Sequence, residues 1–235
     1  MTNNKKILIF TATYNEVENI EILINSIQNS YSSADILVID DNSPDKTFEK
    51  VQQLQKKYEN ICLFNRKSKL GLDTAHKYAY DYAIKNNYDY LITMDADLSH
   101  DPKELMNFVR NLDENPFVIG SRYILGGKCE MKGTRLMISK IGNLVIKIFS
   151  KINSNEFTTS YRGFNLKKLK NFHLNDVKET GYSFFMGTLF ELEKKNFYIK
   201  EIPIIFADRE QGTSKIPRLE IFRTIKNLLN YVFKK

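Results

Sequence analysis

Short apolar runs alternate with helical patterns through the first half of the chain, which predicts an α/β fold with a mostly parallel sheet flanked by helices. The runs are continuous, as expected of central strands that are buried on both faces. Two of them, 36–39 and 91–94, are each followed by acidic residues. Ligand sites of open α/β sheets lie at the carboxyl ends of the strands. We therefore expect the two groups of acids to share one site.

The elements of the first half follow one another in a regular order. We expect strands at 5–13, 36–39, 61–65, 91–94 and 117–120. We expect helices that include 20–27, 46–58, 71–85 and 102–112. Asn15 is the predicted N-cap of the first helix, and Asp101, which precedes Pro102, is the predicted cap of the fourth. This alternation implies parallel strands joined by right-handed crossovers.

Amphipathic segments with cationic polar faces mark the second half. They lie at 134–152 and 219–233, with a predicted strand at 198–206 between them. The apolar side of the first segment contains Met137, Ile138, Ile141, Leu144, Val145, Ile148, Phe149 and Ile152. Such a face either packs on the domain core or lies at a membrane surface. We predict one domain at 1–215, which includes the helix at about 134–152, followed by an amphipathic helix at 216–235.

Composition narrows the classes of partner. The chain has 235 residues, 42% of them apolar, and a formal net charge of +7. That charge favours polyanionic partners: nucleic acid, phosphorylated ligands or an anionic membrane surface. Only two cysteines are present, and no apolar run approaches the roughly 20 residues of a spanning helix. We expect a cytoplasmic protein whose membrane contact is peripheral.

The acids that follow the strands suit a divalent cation and a nucleotide. Asp95 and Asp97 point to one side if the strand continues, or converge if the chain turns. Their oxygens suit Mg²⁺ or Mn²⁺, which commonly also binds substrate phosphates, and Asp40 and Asp41 are suited to accept hydrogen bonds from ribose and base. The alternative is an ordinary acidic turn before a helix. The sequence lacks the GxxxxGK[ST] and GxGxxG motifs, and its three histidines lack the spacing of a zinc site.

Five motifs in order resemble the family 2 glycosyltransferases of GT-A fold, and within them the polyprenol-phosphate (dolichol-phosphate) mannosyltransferases. They are TYNE at 13–16, DDNSPDKT at 40–47, DADLSHDP at 95–102, GSRY at 120–123 with GG at 126–127, and DR at 208–209 with Gly212, Ser214 and Lys215. The resemblance extends from about residue 7 to about residue 216. It implies a GT-A sheet and a nucleotide-sugar donor.

Carried over position by position, the resemblance implies a metal site, a donor site and an acceptor site. The metal would bind Asp95, Asp97 and Ser99. The donor nucleotide would contact Thr13, Tyr14, Glu16, Asp40, Asp41 and Asp95. The acceptor phosphate would contact Arg122, Arg135, Ser139, Arg209 and Lys215. Asp97, Arg122 and Arg135 would act most directly in catalysis.

The implied reaction is an inverting, metal-dependent transfer of a hexose, with mannose from GDP-mannose expected first, to polyprenyl or dolichyl phosphate. The enzyme would act at the cytoplasmic face of a membrane, and a small membrane-anchoring subunit is a further expected partner. UDP-sugar donors and saccharide acceptors are alternatives, as is a non-catalytic nucleotide- or nucleic-acid-binding module. Acids at the strand ends argue against nucleic acid, because they repel its phosphates.

Several positions depart from the family pattern. Ala12 stands where the family usually has Pro, and Asp73 stands where it usually has Gly. Gly187 stands where an acid usually follows the element at 181–184. The last departure leaves the choice of sugar or acceptor open, with Glu191, one helical turn further on, as a candidate replacement.

Overall fold

The computed structural model describes residues 5–208 and 220–233 of the chain. The strands are β1 (Ile7–Thr13), β2 (Asp35–Asp40), β3 (Ile61–Asn65), β4 (Tyr90–Thr93), β5 (Phe117–Ser121), β6 (Lys128–Cys129), β7 (Arg162–Asn165), β8 (Ile199–Pro203) and β9 (Ile205–Phe206). The helices are α1 (Ile20–Tyr31), α2 (Thr47–Gln55), α3 (Leu72–Lys85), α4 (Leu105–Glu114), α5 (Gly133–Ser150), α6 (Ser183–Lys194) and α7 (Glu220–Phe233).

Seven of these strands form one sheet in the order β3-β2-β1-β4-β7-β5-β8. Its strands run in the same direction except β7, which is antiparallel to both of its neighbours, β4 and β5. The predicted α/β class with a mostly parallel sheet is therefore confirmed. The carboxyl ends of β1, β2, β4 and β5 meet at one edge of this sheet, and the predicted site residues follow them there.

Burial on both faces of the sheet explains the continuous apolar runs. In β1, Leu8 and Phe10 belong to one core cluster, whereas Ile7 and Ile9 belong to the other. Residues of α3 and α6 complete the first cluster, and residues of α1, α2 and α4 complete the second. Each strand therefore needs apolar side chains at successive positions, which is the pattern that the sequence shows.

The prediction that Asn15 caps the first helix is wrong. α1 begins at Ile20, after Asn19. Asn15 has a φ of 57°, in the left-handed region, and its N–H donates to Ser43 Oγ at 3.0 Å. It therefore belongs to the turn that joins the ends of β1 and β2. The other predicted cap is confirmed, since the Asp101 carboxylate accepts from the Lys103 N–H at 3.0 Å, and a single 3-10 turn then leads into α4.

The second half contains elements that the sequence did not predict. The predicted strand at 198–206 divides at Ile204: β8 pairs with β5 in the main sheet, whereas β9 pairs with β6 in a separate two-stranded sheet. The sequence analysis assigned neither β7 nor α6. β7 begins at the sheet edge that carries the acids, because Arg162 pairs with Thr93 at the end of β4.

The apolar side of α5 faces outward. The exposed fractions of its large apolar residues range from 36% to 62%, and these residues are Met137, Ile138, Ile141, Leu144, Val145, Ile148 and Phe149. Ile152, just beyond the helix, is the exception, with 2% exposed. The buried positions of α5 are Asn143, Ile146 and Ser150. The alternative in which this whole side packs on the core is therefore wrong, because the helix turns a partly polar face inward.

α7 packs against α5 and α6. Leu228 is buried, and the Tyr231 ring stacks on Phe190 with their centroids 3.8 Å apart. Ile225 and Leu229 remain 48% and 44% exposed. Among the described residues, no helix is long and apolar enough to cross a membrane. The division of the chain at about residue 215 stays a prediction, because 209–219 lie outside the described residues.

Candidate active site

The two central acids lie in a loop that turns after β4. β4 ends at Thr93, and Leu98 has a φ of 62°, so strand geometry does not continue through the acids. The Asp95 carboxylate accepts from Ser160 Oγ at 2.5 Å, and its side chain is 31% exposed. The Asp97 carboxylate accepts from Ser99 Oγ at 2.6 Å and from the Ser99 N–H at 3.2 Å. Of the two arrangements considered from the sequence, the turn is the one observed.

His100 holds this loop in place through a hydrogen bond to the backbone of Asp95. Its ring is buried against Tyr161 and Phe206, with centroids 4.9 Å and 5.4 Å away. Nδ1 accepts from the Asp95 N–H at 3.0 Å, so the ring hydrogen lies on Nε2, which is 3.2 Å from Thr159 Oγ1. Burial lowers the pKa of His100 against the opposing effect of Asp95, which keeps the ring neutral. His100 therefore positions the acid loop, a role that the sequence did not suggest.

The acid loop fits a divalent cation that also binds a diphosphate. Asp95, which is half-buried, and Asp97, which is buried, supply hard carboxylate oxygens, and Ser99 supplies a hydroxyl. Within the described residues, no group of three or more His, Cys, Asp or Glu side chains converges as a metal site. A Mg²⁺ or Mn²⁺ ion held by two carboxylates, with substrate phosphates completing its shell, matches that donor set. Ser99 is fully buried and bonded to Asp97, so its role as a direct ligand stays a prediction.

On the donor side, Thr13 and Asp40 shape the turn between β1 and β2. Asp40 is fully buried, and its carboxylate accepts from Thr13 Oγ1 at 2.8 Å, from Ser43 Oγ at 2.6 Å and from the Ser43 N–H at 2.8 Å. These bonds hold the residues that follow β2 against the end of β1. Direct contact of Thr13 or Asp40 with a nucleotide stays a prediction.

Asp41 forms an ion pair with Arg66, a residue that the sequence analysis did not single out. Burial raises the pKa of Asp41, and the Arg66 guanidinium opposes that shift. Arg66 also donates to Thr74 Oγ1 at 2.5 Å and to the Gly71 carbonyl at 3.1 Å. The ends of β2 and β3 and the start of α3 are thus joined around one carboxylate.

Tyr14 and Glu16 lie in the turn beside this ion pair. The Lys69 ammonium lies 3.9 Å from the centroid of the Tyr14 ring. The Glu16 carboxylate accepts from Asn19 Nδ2 at 2.9 Å, and the Glu16 N–H donates to Thr47 Oγ1 at 2.9 Å. An aromatic ring, carboxylates and cations therefore share one end of the sheet edge; their contact with a base and ribose stays a prediction.

On the other side of the acid loop, Arg122 is held by a buried carboxylate. Its Nε and Nη2 each donate to Glu156 at 2.7 Å, and Nη2 also lies 2.9 Å from Thr158 Oγ1. Glu156 is fully buried and Arg122 is 7% exposed. Burial would raise the pKa of Glu156, but the Arg122 charge outweighs it and the pKa is lowered. The guanidinium is thereby fixed in one orientation at the end of β5.

Two of the other predicted acceptor residues, Arg135 and Ser139, lie on α5. Ser139 Oγ is 2.7 Å from the Tyr123 hydroxyl, which places Ser139 next to Arg122 and Tyr123 at the end of β5. Arg135 lies one turn earlier, is exposed, and has its Nη1 3.5 Å from Asp208 Oδ1. Arg209 and Lys215 fall outside the described residues.

Residues 156–160 connect the acid loop, Arg122 and α5. Glu156 holds Arg122, Thr159 bonds His100, and Ser160 bonds Asp95. The Phe157 N–H donates to Asn143 Oδ1 of α5 at 2.8 Å. We call this stretch the organising segment. The role of this segment was not predicted from the sequence, where its only distinctive feature is the run of hydroxyl residues at 158–160 before β7.

The departures from the family pattern at 73 and 187 each contact the stretch that precedes α6. The Asp73 carboxylate accepts from the Gly181 N–H at 2.9 Å. A side chain at Gly187 would collide with the Glu179 carboxylate. Glu179, and not Glu191, therefore occupies the space beside Gly187; Glu191 lies 3.6 Å from Lys194.

A mostly parallel sheet whose carboxyl edge carries paired acids and a fixed arginine is the arrangement expected of a GT-A transferase. The chain belongs to glycosyl transferase family 2, whose family model matches residues 8–189. The predictions of this family and of glycosyltransferase activity are therefore confirmed.

Curated relatives and solved structures agree with the family. The chain is 31% identical over 90% of its length to an undecaprenyl-phosphate mannosyltransferase of Micrococcus luteus, of which 87% is covered. It is 31% identical over 90% of its length to a polyprenol monophosphomannose synthase of Mycolicibacterium smegmatis, of which 81% is covered. Glucosyl-3-phosphoglycerate synthase of Mycobacterium tuberculosis, solved with Mn²⁺, UDP and phosphoglyceric acid, superposes with a TM-score of 0.68 over 98% of this chain and 78% of that one. Its identity is 14%, so it supports the fold alone.

Proposed function

We propose that the protein is an inverting, Mg²⁺- or Mn²⁺-dependent mannosyltransferase that uses GDP-mannose and polyprenyl phosphate at the cytoplasmic face of a membrane. The observation that carries the proposal is the orientation of α5. Its inward side brings Ser139 to the candidate site, and its outward side exposes seven large apolar residues. A lipid phosphate accounts for both, because its head must enter the site while its tail stays in the membrane. The names of the two curated relatives support the same class of acceptor.

Peripheral binding through α5 is favoured by apolar area and by charge. Full burial of a large apolar side chain contributes about 1.5–3 kcal/mol, so half-exposed residues contribute about 1 kcal/mol each when they enter lipid. Leu125, 99% exposed in the loop between β5 and β6, is a further apolar residue available for this contact. Lys140 of α5 is exposed, and a basic residue near an anionic lipid surface adds about 1 kcal/mol.

The acceptor itself supplies the nucleophile. A lipid monophosphate has a second pKa of about 6 and is therefore an anion at neutral pH. The protein does not need a general base to activate this nucleophile. A phosphate oxygen forms the bond to the anomeric carbon while the bond from that carbon to the donor diphosphate breaks with its electron pair. Attack from the side opposite the leaving group inverts the configuration. The protein's task is to position the two substrates and to stabilise charge.

Named residues of this chain perform that task. Arg122, fixed by Glu156, and Ser139 and Arg135 of α5 bind the acceptor phosphate. Asp95 and Asp97 hold the cation, which when bound neutralises negative charge on the diphosphate. At the far end of the site, Tyr14, Glu16 and Asp41 bind the base and ribose.

The test is a transfer assay with radiolabelled GDP- and UDP-sugars and polyprenyl phosphate, with and without Mg²⁺ or Mn²⁺. We expect a metal-dependent lipid product from GDP-mannose with the wild-type enzyme and no product with the Asp97→Asn variant. A lipid product from a UDP-sugar alone would contradict the donor. Hydrolysis without lipid product would favour a saccharide acceptor, and inertness toward every donor would overturn the proposal. Full activity of the purified chain on detergent-solubilised lipid would refute the need for an anchoring subunit.

A further inference from the structure

Arg122 can offer only one of its three nitrogens to a phosphate, because its protein partners use the hydrogens of the other two. A guanidinium carries five N–H hydrogens: one on Nε and two on each terminal nitrogen. Glu156 takes the Nε hydrogen and one from Nη2, and Thr158 Oγ1 takes the other from Nη2. Among the described residues, Nη1 makes no hydrogen bond to protein. Arg122 therefore offers one nitrogen to a ligand instead of the two-pronged grip typical of arginine and phosphate.

Tyr123 places a further donor at this point. The centroid of its ring lies 5.2 Å from the Arg122 guanidinium carbon, and its hydroxyl lies 2.7 Å from Ser139 Oγ. The side chain therefore bridges from Arg122 to α5. Tyr123 and Ser139 are both only partly buried, so a ligand can reach them from the site.

The two hydroxyls together keep one hydrogen for a ligand. Each hydroxyl carries one hydrogen, and their mutual bond uses one of the two. No other hydrogen bond of either hydroxyl is seen among the described residues. One donor thus remains in this hydroxyl pair, which joins Tyr123, next to Arg122 in the chain, to Ser139 of α5, one helical turn from Arg135.

We propose that the Tyr123 hydroxyl is a further binding residue for the acceptor phosphate and supplies, with Ser139, the hydrogen bond that the Glu156-held Arg122 does not. This inference rests on the proposed lipid phosphate acceptor. It assigns Tyr123 a role in acceptor affinity and none in donor binding.

The test compares Tyr123→Phe with the wild-type enzyme in the transfer assay. Loss of a hydrogen bond to a charged group weakens binding of that group about tenfold or more. The acceptor KM should rise by about that factor, with the donor KM and the melting temperature unchanged. Ser139→Ala should act similarly, and the double variant should show less than the product of the two effects, because the hydroxyls act as one unit. Tyr198→Phe, at a tyrosine that is 60% exposed on the surface, is the matched control.

A binding measurement separates this inference from the proposed function. A short-chain polyprenyl phosphate is titrated calorimetrically into wild type and Tyr123→Phe, with no donor present. Wild-type binding that weakens about tenfold in the variant supports the role of Tyr123, even if the transfer assay yields no product. Equal binding by both proteins, or a parallel loss of donor affinity and melting temperature, overturns it. Failure of the wild type to bind the lipid phosphate overturns both proposals.

Discussion

Replacing Ile141, Ile148 and Phe149 together by Ser should detach the protein from lipid vesicles and leave nucleotide binding intact. These side chains are 54%, 60% and 53% exposed on the outward face of α5. If lipid buries the exposed half of each, the loss is about 1 kcal/mol per residue and about 3 kcal/mol in total. A loss of that size weakens vesicle binding about a hundredfold.

The assay is co-sedimentation with anionic vesicles, alongside calorimetric titration of GDP or GDP-mannose with Mn²⁺. A matched control is the triple serine variant at Ile22, Ile84 and Met106, which are 52%, 41% and 43% exposed on other helices. The control should bind vesicles like the wild type. If the α5 variant loses nucleotide affinity as much as vesicle binding, or if the control detaches equally, the outward face of α5 is not a membrane-binding surface.

Three further substitutions probe the interior of the site. Glu156→Ala should lower the free energy of unfolding by about 3–5 kcal/mol, because it leaves the Arg122 charge buried without its partner; urea unfolding measures this. Asn143→Leu, which removes the bond from α5 to the Phe157 N–H, should lower turnover more than vesicle binding, measured by transfer and co-sedimentation. His76→Phe should reduce acid sensitivity. Burial lowers the pKa of His76 to about 3, from 6.5 in the unfolded chain, so stability falls as the pH drops below 6.5. Between pH 7 and pH 5 the loss from this residue is about 2 kcal/mol in urea unfolding.

Each of these expectations has a distinct contrary result. An unchanged unfolding free energy in Glu156→Ala would mean that solvent reaches the Arg122 pair. Equal loss of vesicle binding and turnover in Asn143→Leu would mean that the bond only supports the α5 fold. For His76→Phe, an acid dependence identical to that of the wild type would assign the acid sensitivity to other groups. The Phe10 and Phe185 rings, with centroids 5.0 Å and 5.1 Å from the His76 ring, provide a suitable environment for the new ring.

The strands of the first half were predictable because the apolar residues of each strand directly reflect its burial on both faces. β1 and β2 carry apolar residues at successive positions, and a parallel sheet covered on both faces requires that pattern locally. The edge where their acids meet follows from the parallel topology. The cap at Asp101 was predictable for the same reason, since its partner is two residues away.

β7 could not be predicted, because its stability comes from distant neighbours. Its four residues include Arg162 and Asn165, which are 1% and 5% exposed. Arg162 is accommodated by the carbonyls of Thr159 and Phe157, at 2.8 Å and 3.1 Å. Glu156 was missed for a similar reason: its partner, Arg122, lies 34 positions earlier. Polar burial of this kind leaves no periodic pattern in a sequence.

The outward apolar face and the candidate catalytic centre belong to one connected structure. Asn143 on α5 accepts from the Phe157 N–H and donates to the Ser139 carbonyl, both at 2.8 Å. The same organising segment holds Arg122 through Glu156 and supports Asp95 through Ser160. A surface that binds α5 would therefore fix the depth of the proposed phosphate-binding residues relative to the acid loop. The contact between Asn143 and the organising segment requires a polar residue on the inward side of α5. The large apolar residues of the helix therefore face outward.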